Sequence, residues 1–329
     1  MMSVTCLDPE IRSMYGSYYS DNQLTRTEVI GLFRSSTDGG QVTTNEIKDL
    51  TNIVNRSNMP VDVKCLAKNA LAGDTSNVNF LVDKWFYGKD RPKLGGFQNI
   101  SYQQVNGSLF VNGASSTDIN QGMVGDCYLI AALGAAADKF NHVVNTMFKD
   151  NMDGTWAVRF YKIDGTRYIE DYVTVDRFLP VNSLGRAVFE DFGGTASSTK
   201  NELWAALAEK AYAQWARNNS YASLSGGWSN VVFSQISGVA AYSNFDMTMT
   251  QALTSAVTKG DAVVIYRYMD ATKSTGHAYY VKSYANGLFY LQDPRGSGGD
   301  LTLNAAQIKT QCYGFAILEK INVQIPKIS

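Results

Sequence analysis

Cys127, His277 and Asp293 are the residues of this chain whose types and spacing suit nucleophilic catalysis. A cysteine attacks a carbonyl as its thiolate, so it needs a base, and the base needs a partner to orient it. Cys127 follows Gly125-Asp126 and opens the apolar run CYLIAALGAAA. Asp126 reads as an N-cap, which puts the sulfur in the first helical turn. Free N–H groups and the positive end of the dipole there favour a thiolate. Taken alone, one cysteine on an apolar helix reads more simply as an inert buried thiol.

Only two histidines are available as a base, His142 and His277. His142 stands near the end of the helix that Cys127 opens, which as continuous helix sets it about 22 Å away. A surface or capping role suits it better. His277 opens the strand-like HAYYVKSY, which returns through Ala285-Asn286-Gly287 into LFYLQD, ending at Asp293 before Pro294. A two-residue turn pairing 285 with 288 would set His277 and Asp293 on opposite faces. A three-residue loop, or an equivalent bulge, puts both on one face, with Gly287 left-handed. The spacing therefore predicts the loop or the bulge.

Several elements must position these groups. TWAVRFYKI and RYIEDYVTV flank Asp164-Gly165, a hairpin signal. NELWAALAEKAYAQWAR carries apolar residues at 203, 207, 211 and 215 and predicts an amphipathic helix. AVVIYRY, HAYYVKSY, LFYLQD and FAILEKI are strand-like. A mainly helical lobe thus precedes a mainly β lobe, an α+β chain with a cleft between its lobes. Residues 1–82 read as a helical N-terminal region and 83–96 (DKWFYGKDRPKLGG) as a linker or exposed hinge. Residues 97–226 and 227–329 are then the cysteine lobe and the histidine/aspartate lobe. Within the N-terminal region, Ser35–Glu46 has the outline of an EF-hand loop. Ser35, Thr37 and Gly39 stand where carboxylate ligands are needed, so a glycine-rich helical hairpin is the simpler reading.

Composition excludes several classes. A balance of 29 basic against 30 acidic residues leaves no basic stripe for nucleic acid. No apolar run reaches the roughly 20 residues of a membrane helix, and the first residues do not read as a signal peptide. These features predict a soluble, cytoplasmic monomer. Four scattered cysteines without a CxxC pair predict free thiols and no zinc site.

Four segments in order carry a family resemblance: QGMVGDCYLIAA, NELWAALAEKAYAQ followed by YASLSGG, GHAYYV, and DPRG. They resemble the cysteine box, long helix, histidine box and Asn-Pro-Trp-Gly segment of the calpains, span residues 121–296, and place the protease core at about 97–324. The resemblance implies a papain-like two-lobe core and a cysteine endopeptidase acting on protein or peptide substrates. It makes Cys127 the nucleophile, His277 its base and Asp293 the orienting residue. Gln121 becomes an oxyanion donor, and Gly226, Gly227 and Gly276 the glycines that approach an extended peptide. No cofactor is required by that chemistry.

This chain departs from the pattern in places. Asp293 replaces an asparagine, Arg295 the following tryptophan, and Tyr128 the tryptophan after the nucleophile. Thr199 stands where the family's first-lobe calcium site has an acidic residue, and Glu190 and Asp191 are out of register, so the sequence does not support calcium. Two other readings stay open: a degraded, peptide-binding relative, and a Cys-His-Asp acyltransferase of transglutaminase type. The N-terminal region reads equally as a pro-segment released by cleavage in the hinge, as in a zymogen, and as a permanent cap.

Overall fold

The computed structural model describes residues 4–37, 42–248, 250–296 and 298–323. The chain forms two compact units. One holds residues up to Arg91 together with Asp150–Val158 and Asp171–Asp176; the other holds the rest.

The first unit contains α1 (Pro9–Tyr18), α2 (Arg26–Ser35), α3 (Thr44–Arg56), α4 (Val61–Leu71) and α5 (Val78–Trp85). Asp8 caps α1, while Thr25–Glu28 and Thr43–Glu46 form capping boxes that satisfy the first N–H groups of α2 and α3. Ile11, Leu24, Phe33, Ile53, Leu66 and Phe86 are buried in one core, which also takes in Ala157 and Tyr172. The helices therefore do not make this unit alone. Residues 83–91 belong to it too, and they are not an exposed hinge. Phe86 is buried, Gly88 lies against the Thr174 carbonyl at φ +63°, and Arg91 pairs with Asp176 at 2.6 Å. The boundary between the units falls at Arg91–Pro92, inside the predicted linker. In the EF-hand-like loop, Glu46 accepts from the Thr43 N–H at 2.5 Å, and residues 38–41 lie outside the described residues.

The short strand β1 (Ser101–Gln104) pairs with β5 (Phe178–Val181). Between them in sequence lie α6 (Cys127–Lys139), α7 (Asn141–Asn145) and the three-stranded sheet of β2 (Phe148–Asp150), β3 (Thr155–Asp164) and β4 (Arg167–Asp176). The predicted hairpin is β3–β4, and Gly165 turns it at φ +61°. After β5 come α8 (Trp204–Ala216), α9 (Ser229–Ser237), β6 (Tyr242–Asn244), α10 (Thr250–Lys259), β7 (Ala262–Tyr268), β8 (Gly276–Ala285), β9 (Leu288–Gln292), β10 (Leu301–Asn304), α11 (Ala305–Gln311) and β11 (Cys312–Leu318). The last six strands form one antiparallel sheet in the order β10-β9-β8-β7-β11-β6.

Both faces of that sheet are covered, which explains why Val263–Ile265 and Tyr279–Val281 read as continuous apolar runs. One face packs Val263, Ile265, Tyr279 and Phe289 with Leu253 of α10 and Ile308 of α11. On the other face lies α6, apolar all round. It can approach closely because a Cβ at Gly134 would come 3.0 Å from the Tyr280 ring. The α8 helix differs from its predicted amphipathic form: Trp204 through Ala213 are all buried, Glu209 and Lys210 included.

The β8–β9 connection is a two-residue turn, not the three-residue loop. Asn286 and Gly287 both take positive φ, +52° and +79°, the pattern of a type I′ turn. The same-face placement survives because the register shifts between Val281 and Ser283. One extra residue in β8 reverses the parity that the short turn would impose. Beyond the bulge Tyr280 pairs with Gln292, which brings His277 and Asp293 to one side.

Candidate active site

Cys127 is the first residue of α6 and is half-buried. Asp126 occupies the N-cap position but makes no capping bond with its side chain. Its carboxyl turns inward instead. Burial pushes the Cys127 thiol above its ordinary value, and the nearby Asp126 charge adds to that rise. The backbone N–H groups of Ala278 and Tyr128, and the Arg295 charge, oppose it. The helix start alone does not make a thiolate here, so a thiolate would need a neighbouring base.

The candidate base, His277, stands at the beginning of β8. His277 is buried, and its Nε2 lies 2.8 Å from Asp293 Oδ1. Engagement of Nε2 leaves Nδ1 as the nitrogen available to a reactant. The His277 ring meets Tyr279 edge-on, with centroids 4.9 Å apart. Cys127 and His277 line the same cleft of about 630 Å³, together with Gln121, Gly226, Gly227 and Gly276.

Asp293 is only 2% exposed and serves two partners. Besides His277 it accepts from the Arg295 backbone N–H at 2.9 Å, from Nε at 3.2 Å and from Nη2 at 3.1 Å. Burial would raise its carboxyl, but the bonds from His277 and Arg295 outweigh burial and hold it well below the usual carboxylate range. Arg295 is half exposed and lines the cleft, standing where the calpain pattern has a tryptophan.

Gln121 lies in the cleft lining, and its backbone N–H donates to the Pro294 carbonyl at 2.7 Å. This bond ties the cysteine segment to the aspartate segment. Its side-chain amide faces inward, with Nε2 donating to the Val124 carbonyl at 2.8 Å and to Asp126 Oδ1 at 3.0 Å. Both amide hydrogens are therefore engaged within the protein.

Two of the three glycines answer to the protein's own packing. A side chain at Gly227 would strike the Tyr128 ring at 2.5 Å, and one at Gly276 would strike the Tyr313 hydroxyl. Gly226 takes φ +77° with open space around its Cα, and its N–H donates to the Gly125 carbonyl. His142, on α7, is not among the residues lining the cleft.

Sequence reasoning missed Tyr313, Glu190 and Glu209. The register of β11 shifts between Cys312 and Gly314, and Tyr313 at that bulge lines the cleft and stacks on Tyr266. Burial and the adjacent Cys127 push its hydroxyl up to about 12, so it is a neutral donor. Glu190 and Glu209 are 2% and 1% exposed beside Asp126. A glutamate within the apolar run WAALAEKAYA was the signal that could have revealed Glu209.

All four cysteines are free. Among the described residues no group of three or more His, Cys, Asp or Glu is arranged to hold a metal, and no helix is long and apolar enough to cross a membrane.

A family model described as "Calpain family cysteine protease" matches residues 97–289. The matched segment contains Cys127 and His277 and ends before Asp293. The chain is 32% identical over 195 residues to the calpain-1 catalytic subunit of Macaca fascicularis, covering 54% of this chain and 26% of that protein. It is 36% identical over 138 residues to the Bos taurus calpain-1 catalytic subunit, 40% of this chain and 18% of that one. With calpain-8 of Mus musculus it shares 30% over 195 residues, 54% of this chain and 26% of the relative. The chain thus spans about a quarter or less of the length of these relatives.

Proposed function

Because the chain belongs to the calpain family of cysteine proteases, we propose that it is an endopeptidase in which Cys127, His277 and Asp293 carry the chemistry. The observation that carries this reading is the 2.8 Å His277–Asp293 bond in the cleft that also exposes Cys127. His277 Nδ1 takes the thiol proton as Sγ attacks the scissile carbonyl carbon. The tetrahedral intermediate expels the amine, which receives that proton from His277, and a Cys127 thioester remains. Water then attacks the thioester carbon and gives a proton to His277. Collapse releases the carboxylic acid, and the proton returns to sulfur.

Asp293 stabilises the imidazolium formed in both halves of the cycle. The Cys127 backbone N–H at the start of α6 is one donor for the developing oxyanion. Gln121 is the second, and serving there requires its Nε2 to leave one of its two inward partners. Gly226, Gly227 and Gly276 line the stretch of cleft in which an extended peptide backbone is held. The chemistry needs no cofactor. Calcium is left open: the alignment on NELW puts Thr199 where the family's first-lobe site has an acidic residue, so the sequence lends it no support.

The reading extends to a cytoplasmic monomer, a setting in keeping with four free thiols, and to synthesis as a zymogen. Phe86, Gly88 and Pro92 are buried and most residues between 83 and 91 are half-buried, whereas Lys93, Gly95 and Gly96 are exposed, so release would fall in the latter stretch. Incubating wild type beside Cys127→Ser tests self-release. Both staying full length while wild type is fully active removes the zymogen.

A second reading, a peptide-binding relative that no longer cleaves, is favoured by the inward Gln121 amide. Peptide-library cleavage with and without chelator, against Cys127→Ser, separates the two. Cleavage lost in Cys127→Ser supports the protease. Peptide binding without cleavage or thiol labelling supports the binding module. Amine incorporation exceeding hydrolysis would point to acyl transfer.

A further inference from the structure

We infer that Asp126 and Glu209 share a proton directly beneath the nucleophile, and that Glu209 is thereby a positioning residue for Gln121 and Cys127. The inference rests on the protease reading for its catalytic consequence, though not for the proton itself.

Asp126, Glu190 and Glu209 come from three separate segments, and each is nearly or fully buried: 0%, 2% and 1% exposed. Each has one oxygen satisfied. Asp126 Oδ1 accepts from Gln121 Nε2 at 3.0 Å, Glu190 Oε1 from the Asn120 N–H at 2.8 Å, and Glu209 Oε2 from the Glu190 N–H at 3.1 Å. The other oxygens, Asp126 Oδ2, Glu190 Oε2 and Glu209 Oε1, have no donor among the described residues. None of the three carboxyls forms an ion pair there. Gln121, itself more than nine-tenths buried, aims its amide into the cluster and leaves its own Oε1 without a partner.

Three adjacent buried anions without a cation are not sustainable in a medium of low dielectric. A proton resolves this, because a protonated carboxyl is both neutral and a donor to its neighbour's lone pair. The Asp126 and Glu209 side chains are within hydrogen-bonding reach of each other. Burial raises the Asp126 carboxyl to about 7, and burial with mutual repulsion sets Glu190 and Glu209 well above the ordinary range. The other titratable groups acting on the cluster, Cys127 and Tyr128 on α6, Asp191 beside Glu190, and Tyr280 on β8, are not cations. Lys210, next to Glu209 on α8, sends its Nζ to the Phe178 carbonyl at 2.8 Å. A metal is not the alternative, since the described residues contain no cluster arranged to hold one.

The catalytic consequence follows from position. Asp126 carries the N-cap of the helix that Cys127 opens, and its carboxyl sets the rotation of the Gln121 amide. A second full charge on this pair would oppose the thiolate and draw the amide further inward. Activity should therefore fall at alkaline pH as the shared proton is lost.

Infrared spectroscopy of the full chain tests the proton directly. Wild type should show a protonated-carboxyl C=O band at neutral pH that disappears on alkaline titration, and Glu209→Gln, whose amide is permanently neutral, should lose the part of it that the Asp126–Glu209 pair contributes, leaving only what Glu190 supplies. In Glu209→Gln the alkaline fall of kcat/KM, and of the Cys127 alkylation rate, should move upward by about one pH unit. A wild-type spectrum without that band at neutral pH overturns the inference. So does a Glu209→Gln profile superimposable on wild type, or one lowered equally at every pH, as a purely structural role would give. If Glu209→Gln fails to fold, the wild-type titration of the band decides. A band present in a chain that neither cleaves peptides nor labels at Cys127 retains the shared proton and refutes the protease reading instead.

Discussion

Arg295 braces the carboxylate that holds His277: its Nε and Nη2 reach the two oxygens of Asp293 at 3.2 and 3.1 Å. The acid is fixed from two sides, and Oδ1 serves both the imidazole and the arginine backbone. Truncating Arg295→Ala should therefore lower kcat/KM by about tenfold, the scale of one charge-assisted hydrogen bond, without abolishing turnover. Steady-state kinetics on a peptide substrate check this. A rise in activity would mean that Arg295 competes with His277 for the carboxylate.

The acid itself is expected to tolerate one change and not another. Asp293→Asn keeps an oxygen to accept from His277 Nε2, so kcat should fall only modestly. Asp293→Ala removes the acceptor and should cost about 10²- to 10⁴-fold in kcat, the usual range for losing control of the base. Equal losses in the two variants would mean that the orienting bond is not what matters.

Stability should respond to acid through the same residue. The folded Asp293 carboxyl lies below its ordinary value, so the unfolded chain binds more protons at low pH. Its contribution is complete above about pH 5, where the unfolded aspartate is largely ionised, and declines as pH falls further toward the folded value. Thermal melts between about pH 5 and 2 should show a steeper decline for wild type than for Asp293→Asn. Parallel curves would contradict the assigned shift.

Much of this site was readable from residue order. Periodicity located the helix opened by Cys127, the strands carrying His277 and the hairpin to Asp293, because backbone pattern and burial agree there. The β8–β9 hairpin shows where such reading stops. Asn286-Gly287 is a strong two-residue turn signal, and the bulge that restores the parity has no marker in the sequence. Asp126 reads as an N-cap by type, yet its carboxyl accepts from the Gln121 amide and faces Glu209, which lies more than eighty positions later in the chain. The segment around Gly88 reads as a hinge from its Gly, Pro and charge. Its burial depends on strand residues some ninety positions later, Thr174 and Asp176. The local elements were legible, and long-range pairing was not.

The central claim is that Cys127, assisted by His277, is the nucleophile. A thiol-directed peptide electrophile followed by peptide mapping tests it most directly, because Cys6, Cys65 and Cys312 provide internal controls. The account predicts one adduct per chain, on Cys127. It should be absent from Cys127→Ser and slowed by about 10²-fold or more in His277→Ala. Labelling spread across the four cysteines, or full peptide cleavage by Cys127→Ser, would contradict it.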